Sequence, residues 1–206
     1  MSSVSSVGKK SDFRFGAVIL AAGASVRLGR PKQLLEIDGQ PLVARAAGAA
    51  LTAGASPVVV VLGANAEQIR PVLNGLKVVV ALNPAWSEGM ASSMRTGLQA
   101  LGAVDPSIDA VLLTVCDQPA FSADVIQRLL GALQTSGRGI AAARYAGRNG
   151  VPALFRREHF FTLVALKGDQ GARALLNGHP AGVAPVDLPE LALDLDTPDD
   201  VARWRG

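Results

Sequence analysis

The stretch between residues 17 and 35, AVILAAGASVRLGRPKQLL, constrains the fold of this chain more than any other. Its first four residues are apolar and partly β-branched, which is typical of a strand buried on both faces of a parallel sheet. The loop that follows contains Gly23, Gly29 and three cations. Glycines let backbone N–H groups approach a ligand closely, and the cations favour an anion. The stretch therefore predicts a buried strand that ends at an anion-binding loop.

This loop differs from two common phosphate-binding motifs. A P-loop requires Gly, four residues and then Gly-Lys-Ser/Thr, whereas Gly23 is followed by ASVRLGR. The dinucleotide fingerprint Gly-x-Gly-x-x-Gly does not fit the loop either. An ordinary solvated basic loop remains the alternative to an anion site.

Predicted strands and helices alternate along the chain. Apolar runs predict strands, and amphipathic or Ala-rich segments with capping residues predict helices. The predicted strands are 17–20, 58–62, 77–82, 109–115 and 139–143, and the predicted helices are 42–53, 66–73, 123–134 and one that ends at Leu101. Because this alternation favours parallel strands, we expect an α/β fold with a parallel, doubly wound sheet.

Length and composition limit the class of protein. The 206 residues suffice for a large core, and 49% apolar residues exclude global disorder. We expect a flexible tail over residues 1–14 and a single domain over residues 15–206. The single cysteine, Cys116, fits a reducing compartment, and no neighbouring His would activate it as a nucleophile. Without an apolar run of roughly 20 residues or a secretory signal, a cytoplasmic protein with no membrane contact is expected.

The charge distribution argues against nucleic-acid binding. The net charge is +3, the basic residues are scattered, and aromatic residues make up 4% of the chain. Local basic clusters of this kind suit small anionic ligands better than a polyanion. His159 and His179 lack the spacing of metal ligands, so packing or surface roles are expected for both.

Acidic residues are predicted at the carboxyl ends of two strands, where ligands bind in parallel sheets. Asp117 follows strand 109–115, and Mg²⁺ prefers one or two carboxylates together with phosphate oxygens and water. A further predicted strand, 191–195, contains Asp194 and precedes Asp196, and alternation places both on one face. We therefore predict Asp117 and Asp196 as metal ligands, with Asp194 as a rival to Asp196. An Asp that only opens a turn is the alternative for Asp117.

Polar residues that follow strand 77–82 suggest a ligand contact. In residues 83–93, NPAWSEGMASS, Ser92 and Ser93 can cap the next helix, and their hydroxyls suit the polar edges of a ligand. The alternative is that Trp86 only packs and that the serines are only caps.

The second half contains further segments with a predicted role. Two glycines within residues 144–155 predict a hairpin-like flap over the site, and a plain hairpin is the alternative. A helix is predicted over residues 156–166 and a strand over residues 182–186. Asp169 can cap the helix that follows it, either as a cap alone or as part of a ligand grip, and Pro198 can begin a terminal helix.

Five segments together resemble one family. Residues 20–35, LAAGASVRLGRPKQLL, resemble the signature loop of nucleotidyltransferases, which move an NMP from an NTP to an acceptor. The segments NPAWSEGMASS, CDQP, GDQGAR and DLDTPDD follow in order and are similar to those of the molybdenum cofactor cytidylyltransferases. The resemblance extends from Phe15 to Trp204.

The resemblance implies a Rossmann-like, three-layer α/β/α nucleotidyltransferase fold with a mostly parallel sheet. It also implies a Mg²⁺-dependent transfer of CMP from CTP to the molybdopterin-type molybdenum cofactor, with release of pyrophosphate. It implies that Arg27, Lys32 and Asp117 are catalytic. The residues implied in binding nucleotide or acceptor are Leu20, Ala21, Ala22, Gly23, Ser25, Ser92, Ser93, Gly150 and Asp169. It further implies a nucleotide-binding half (15–120), an acceptor-binding half (121–206), and a molybdoenzyme client or its chaperone as a partner.

The spelling LAAG is associated in this superfamily with CTP, and LAGG with GTP. We expect the small side chain of Ala22 to narrow the base pocket. Three alternatives remain from the sequence. They are another cytidylyl- or sugar-nucleotidyltransferase of this fold, a guanylyltransferase, and a non-catalytic carrier or insertion chaperone of the molybdenum cofactor.

Overall fold

The computed structural model describes residues 13–178 and 180–205. The strands are β1 (Phe15–Ala21), β2 (Glu36–Ile37), β3 (Gln40–Pro41), β4 (Val58–Leu62), β5 (Val79–Leu82), β6 (Ala110–Val115), β7 (Ile140–Tyr145), β8 (Arg148–Arg156) and β9 (Val183–Asp187). The helices are α1 (Leu42–Thr52), α2 (Ala66–Ile69), α3 (Met90–Val104), α4 (Ala123–Thr135), α5 (Phe160–Ala165), α6 (Ala172–Gly178) and α7 (Pro198–Arg205). Most of the expected tail, residues 1–12, and His179 lie outside the described residues.

Seven strands form one sheet in the order β5-β4-β1-β6-β8-β7-β9. The neighbouring pairs are parallel except for the two that involve β8, which runs antiparallel to β6 and β7. All seven residues of β1 are buried, as the apolar run at its centre predicts for a strand covered on both faces. The mostly parallel α/β sheet expected from the sequence is therefore confirmed.

Helices cover both faces of the sheet, and β1 divides its side chains between them. Ala17 and Ile19 belong to a core that includes α1, α2 and α4. Val18 and Leu20 belong to the opposite core, with α3, α5 and α6. This alternation follows from the two-residue period of a strand, and it confirms the three layers. Within the described ranges, no helix has the length and apolar character that crossing a membrane would require.

The predicted flap over residues 144–155 is wrong. These residues end β7 and form most of β8, which lies inside the sheet between β6 and β7. Ala153, Leu154 and Phe155 are fully buried there. Their apolar side chains fill both faces of the sheet, so the hairpin contributes to the core and only its turn projects from it.

The predicted strand 191–195 is also wrong. A short helical turn covers Pro189–Ala192, and the chain then continues without regular structure. Leu191 packs in the core that contains α1 and α4, whereas Leu195 packs in a separate small cluster with Leu28 and Val201. Because the two leucines anchor in different clusters, the segment crosses between them instead of pairing along a sheet.

The predicted helix 156–166 begins later than expected. Arg156 ends β8, a single turn covers Arg157–His159, and α5 begins at Phe160. The backbone N–H of Arg157 donates to the carbonyl of Asp109 at 2.9 Å, so the strand ladder continues to this point and delays the helix.

Helix α3 packs on β1 and β4 through a glycine, which gives a test of the packing. A Cβ at Gly97 would lie 2.3 Å from Val18 Cγ1 and 2.9 Å from Val61 Cγ2, whereas a Cβ at Gly102 would meet no atom within 4 Å. Gly102→Ala should raise the free energy of unfolding by about 0.5–1 kcal/mol, because Ala favours the helix. Gly97→Ala should be less stable than Gly102→Ala by about 1–3 kcal/mol because of overpacking.

Urea unfolding of the two variants beside the wild type measures this difference. Equal stability of Gly97→Ala and Gly102→Ala would show that α3 is not in close contact with the sheet.

Candidate functional site

A buried glutamine holds the loop that follows β1. Gln33 is fully buried, and its Nε2 donates to the carbonyls of Ala21 and Gly23 at 2.9 Å each. The Ser25 hydroxyl donates to Gln33 Oε1 at 3.3 Å and accepts the backbone N–H of Lys32 at 3.1 Å. Sequence reasoning missed Gln33, because a polar residue in a polar loop gives no local sign that it is buried. Ser25 shapes the loop, together with Gln33.

Four charged side chains meet beside this loop. Lys32 Nζ donates to Asp117 Oδ2 and, at 2.7 Å, to Asp196 Oδ1. Arg27 Nη2 donates to the other oxygen of Asp196, also at 2.7 Å. Lys32 and Asp117 keep only 20% and 11% of their side-chain surface exposed, whereas Arg27 keeps 71%. Lys32 is therefore the central cation of the cluster, and Arg27 closes it from the solvent side.

The cluster shifts the protonation equilibria of its members. Burial disfavours the ammonium of Lys32, but Asp117 and Asp196 outweigh this effect and raise the pKa of Lys32 above its ordinary value. Burial opposes the charge of Asp196 too, yet the hydrogen bonds and charges of Lys32 and Arg27 lower its pKa. Asp194 accepts from neither cation, and burial together with the charge of Asp117 raises its pKa to about 6.

The C-terminal acids reach the site through backbone contacts. The N–H of Leu195 donates to the carbonyl of Asp117 at 2.9 Å, which places Asp194 and Asp196 on either side of that contact. Thr197 and Asp200 then form a reciprocal cap on α7: the Thr197 N–H donates to Asp200 Oδ2 at 2.8 Å, and the Asp200 N–H donates to Thr197 Oγ1 at 3.2 Å. The acids therefore meet Asp117 without the strand that the sequence predicted.

A second buried amide ties three segments together. Gln118 is 3% exposed, and its Nε2 donates to the Tyr145 hydroxyl (3.1 Å), the Val151 carbonyl (3.3 Å) and the Leu191 carbonyl (3.2 Å). The Tyr145 hydroxyl in turn donates to the Val151 carbonyl at 2.8 Å. Gln118 thus links the end of β6 to the β7–β8 hairpin and to the segment that carries Asp194 and Asp196.

Two adjoining clefts open at the carboxyl end of the sheet. The β1-side cleft has a volume of about 350 Å³ and is lined by Leu20, Ala21, Ala22, Gly23, Gln33, Trp86, Ser87, Gly89, Ser93, Cys116 and the residues shared below. The β8-side cleft, of about 410 Å³, is lined by Arg27, Gln118, Tyr145, Val151, Gly171, Ala172, Arg173, Asp194, Asp196 and the same shared residues. The shared residues are Lys32, Met90, Val115, Asp117 and Asp169. The charged cluster therefore lies where the two clefts meet.

The segment between β5 and α3 forms one wall of the β1-side cleft. Helix α3 begins at Met90 after Gly89, so Ser92 and Ser93 lie inside its first turn and do not cap it as predicted. Asn83 Nδ2 donates to both hydroxyls, at 2.8 and 3.0 Å, and both serines are buried. Ser93 lines the cleft, whereas the hydroxyl of Ser92 donates to backbone carbonyls and does not line it.

Two residues of the second half that were predicted to bind a ligand, Asp169 and Gly150, have surroundings that differ from the prediction. Asp169 does not cap α6, which begins at Ala172. Instead, Asp169 packs beside the start of α3, since a Cβ at Gly89 would lie 2.6 Å from Asp169 Oδ1. Gly150 lies within β8 and lines neither cleft; a Cβ there would lie 2.5 Å from the Tyr145 hydroxyl oxygen. Gly150 leaves room for Tyr145, which itself lines the β8-side cleft.

The residues fit a Mg²⁺ ion that shares its ligands with a phosphate. Asp117 Oδ1 is buried and has no hydrogen-bond partner among the described residues, so it is an acceptor that a cation would satisfy. Over residues 13–178 and 180–205, no three His, Cys, Asp or Glu side chains form a group that could hold a metal by themselves. Mg²⁺ needs only one or two carboxylates when phosphate oxygens and water complete its shell.

Cys116 is a packing residue. Its side chain is 3% exposed, and burial, with the charge of Asp117, raises the pKa of its thiol to about 12. A thiol that stays protonated at neutral pH is a poor nucleophile.

The opposite environments of Asp194 and Asp196 predict opposite effects on stability. At about pH 7.5, Asp194→Asn should raise the free energy of unfolding, because the raised pKa of Asp194 means that its charge destabilises the fold. This cost is complete above the pKa of about 6 and disappears below the ordinary value of 3.8. Asp196→Asn should lower the free energy of unfolding at the same pH, because the lowered pKa of Asp196 means that its charge stabilises the fold.

Urea unfolding near pH 7.5 and again near pH 3 measures both variants, and both effects should shrink at the lower pH. A destabilised Asp194→Asn at pH 7.5 would contradict the crowding of Asp194 by Asp117.

Comparison with known proteins places this site in a family. A family model described as the MobA-like NTP transferase domain matches residues 17–191. Nicotine blue oxidoreductase of Paenarthrobacter nicotinovorans is 35% identical over 198 residues, covering 90% of this chain and 94% of that protein. Molybdenum cofactor guanylyltransferase of Rhodobacter capsulatus is 29% identical over 191 residues, with coverage of 92% and 94%.

A solved structure from Mycobacterium tuberculosis H37Rv, determined in complex with manganese, superposes with a TM-score of 0.71 at 30% sequence identity. The similarity covers 92% of this chain and 96% of the mycobacterial chain. The match of the family model includes the loop after β1, the Asn83–Ser93 segment and Asp117, and it extends over most of the sheet. The chain therefore belongs to the MobA-like NTP transferase domain family.

Proposed function

We propose that this chain is a Mg²⁺-dependent cytidylyltransferase that transfers CMP from CTP to the terminal phosphate of a molybdopterin-type molybdenum cofactor and releases pyrophosphate. One observation carries the proposal: two clefts adjoin at Lys32 and Asp117, and the loop after β1 borders the first of them. A nucleotidyl group can pass from one substrate to the other only if both bind at such a shared boundary. We assign the nucleotide to the β1-side cleft and the acceptor to the β8-side cleft.

The reaction is an in-line displacement at phosphorus. An acceptor phosphate oxygen forms a bond to the α-phosphorus of CTP, and the bond from that phosphorus to the oxygen bridging to the β-phosphate breaks. Pyrophosphate leaves with the electron pair. The acceptor phosphate has a second pKa of about 6, so it is already ionised and needs no protein base. The protein's contribution is to position the two substrates and to stabilise charge.

Lys32 and Arg27 supply that positive charge. Both cations are paired with carboxylates, Lys32 with Asp117 and Asp196, and Arg27 with Asp196. A bound triphosphate would compete for them, because phosphate oxygens accept strong charge-assisted hydrogen bonds. Backbone N–H groups from Ala22 to Ser25 would hold the other phosphate oxygens.

A Mg²⁺ ion bound by Asp117, with Asp196 or its rival Asp194, would neutralise charge on the phosphates when present. The buried, unpartnered Oδ1 of Asp117 supports this assignment. A related mycobacterial protein has been crystallised with manganese, which supports a divalent-ion site in the family.

The assignment of nucleotide and acceptor to the two clefts also divides the chain into two halves. We place the nucleotide-binding half at residues 15–120 and the acceptor-binding half at residues 121–206. Phe13 and Arg14, expected in the tail, instead join the fold, because Phe13 packs on the core and the Arg14 carbonyl accepts from the Asp109 N–H at 2.9 Å. The single buried cysteine, Cys116, is consistent with a reducing, cytoplasmic location. A molybdoenzyme or its chaperone would receive the product.

Two alternatives rest on named relatives. One relative is a molybdenum cofactor guanylyltransferase, which favours GTP as donor, and another is nicotine blue oxidoreductase, which favours a redox reaction on a different substrate. The choice of nucleotide and the formation of pyrophosphate separate these alternatives from the proposed function.

Thermal unfolding with Mg²⁺ and CTP, GTP, ATP or UTP tests the donor. A nucleotide present at about 100 times its Kd should stabilise the fold by roughly 2.7 kcal/mol, and CTP should give the largest shift. Pyrophosphate release from CTP in the presence of the molybdenum cofactor then tests the transfer. A larger shift with GTP would favour the guanylyltransferase, and no pyrophosphate with any nucleotide would contradict a transferase.

The variant Ala22→Gly tests whether Ala22 contributes to the choice between CTP and GTP. Ala22 is 5% exposed and lines the β1-side cleft, so removing its methyl group would widen the base pocket. We expect the variant to discriminate less between CTP and GTP than the wild type. Unchanged discrimination would remove Ala22 from the specificity argument.

Lys32→Ala should lower kcat by about 10²-fold or more, as does the loss of one donor to a developing oxyanion. Arg30→Ala is the matched control, because Arg30 belongs to the same loop, is exposed and lines neither cleft. The control should keep nearly the wild-type kcat. Steady-state pyrophosphate assays measure both variants, and a near-normal kcat for Lys32→Ala would exclude Lys32 from catalysis.

A further inference from the structure

Trp86 is an aromatic side chain without an assigned role in the site. It begins the short helical turn Trp86–Glu88 between β5 and α3, and it lines the β1-side cleft. The residue keeps 37% of its surface exposed, although tryptophan is usually well buried in a protein of this kind. An exposed aromatic at the wall of a cleft suggests a contact with a ligand.

The position of Trp86 is fixed by the absence of a side chain at Gly63. A Cβ at Gly63 would lie 2.6 Å from Trp86 Cβ, 2.8 Å from Trp86 Cγ and 2.9 Å from Ala22 Cβ. No side chain larger than hydrogen fits there without moving Trp86 or Ala22. The N–H of Ala64 donates to the carbonyl of Ala22 at 3.0 Å and fixes the loop on the other side. Trp86 and Ala22 therefore both lie against Gly63 and line the same cleft.

The remaining lining shows what kind of ligand would meet this wall. The cation Lys32 can meet an anion, whereas Ser87 and Ser93 offer hydroxyls. Trp86 adds an apolar, aromatic surface in the same cleft. An anionic group, polar edges and a flat ring are together the features of a nucleotide.

We propose that Trp86 packs against the base of the donor nucleotide and supplies binding energy without selecting the base. The proposal rests on the assignment of the nucleotide to the β1-side cleft. Every base has a π-face, so an aromatic side chain contributes similarly for all four nucleotides. Base choice would then depend on atoms that meet the edge of the base, among them Ala22 and Ser93.

The chain contains two tryptophans, so fluorescence can test the contact directly. Trp204 lies on α7, is 39% exposed and lines neither cleft. In the variant Trp204→Phe, the emission of Trp86 should be quenched on titration with CTP or GTP and Mg²⁺. Trp86→Ala should weaken the binding of CTP and GTP by a similar factor of about tenfold or more, whereas Trp204→Ala should leave both affinities unchanged.

Trp86→Leu keeps an apolar side chain and serves as the second variant if Trp86→Ala fails to fold. It should also weaken the binding of CTP and GTP by a similar factor. If a nucleotide stabilises Trp204→Phe against thermal unfolding without quenching the emission of Trp86, the proposal is overturned. It is also overturned if the wild-type protein binds none of the nucleotides. Loss of CTP affinity alone in Trp86→Leu would contradict the base-independent contact. Quenching by nucleotides together with no pyrophosphate release would support the contact and contradict the proposed transfer.

Discussion

The ammonium of Lys32, placed between Asp117 and Asp196, is the contact on which the whole site depends. Four acids line the β8-side cleft, and without Lys32 the mutual repulsion among three of them, Asp117, Asp194 and Asp196, would push the C-terminal segment away. Removing one partner of a largely buried ion pair typically costs about 3–5 kcal/mol. Lys32 thus holds the site together, and in the proposed reaction it is also the group that a phosphate would recruit.

The parallel sheet makes this contact geometrically possible. Leu20 and Val115 are the last paired residues of β1 and β6, so the two strands end side by side and their loops share one edge. Glycines let the surrounding layers approach closely: Gly97 admits α3 onto β1, and Gly63 admits Trp86 beside Ala22. The buried amides of Gln33 and Gln118 then fix the loops that leave this edge. Close packing and buried amides thus hold the loops at this edge, where the ion pairs of Lys32 join them.

Local patterns were sufficient for the parts of the chain that are governed by local rules. The apolar run of β1 and the strand–helix alternation predicted the sheet, because burial on both faces leaves a continuous apolar segment. Asp194 and Asp196 were expected near Asp117, but on a strand that does not exist; the Leu195 backbone contact is tertiary, and no periodicity reports it. The hairpin of β7 and β8 was expected, but its place in the sheet was not, because the pairing of β8 with the distant strand β6 is a tertiary contact that the turn residues do not report.

The order in which the chain is synthesised determines when the contacts of Lys32 can form. Lys32 and Asp196 are separated by 164 positions along the chain. A ribosome that has made residues 1–120 has produced Lys32, Asp117 and every residue that lines the β1-side cleft except Asp169, but Lys32 then has only one of its two carboxylate partners. The charged cluster therefore cannot close until Asp196 has been made. The electrostatic assembly of the site depends on the C-terminal segment, which is among the last parts of the chain to be synthesised.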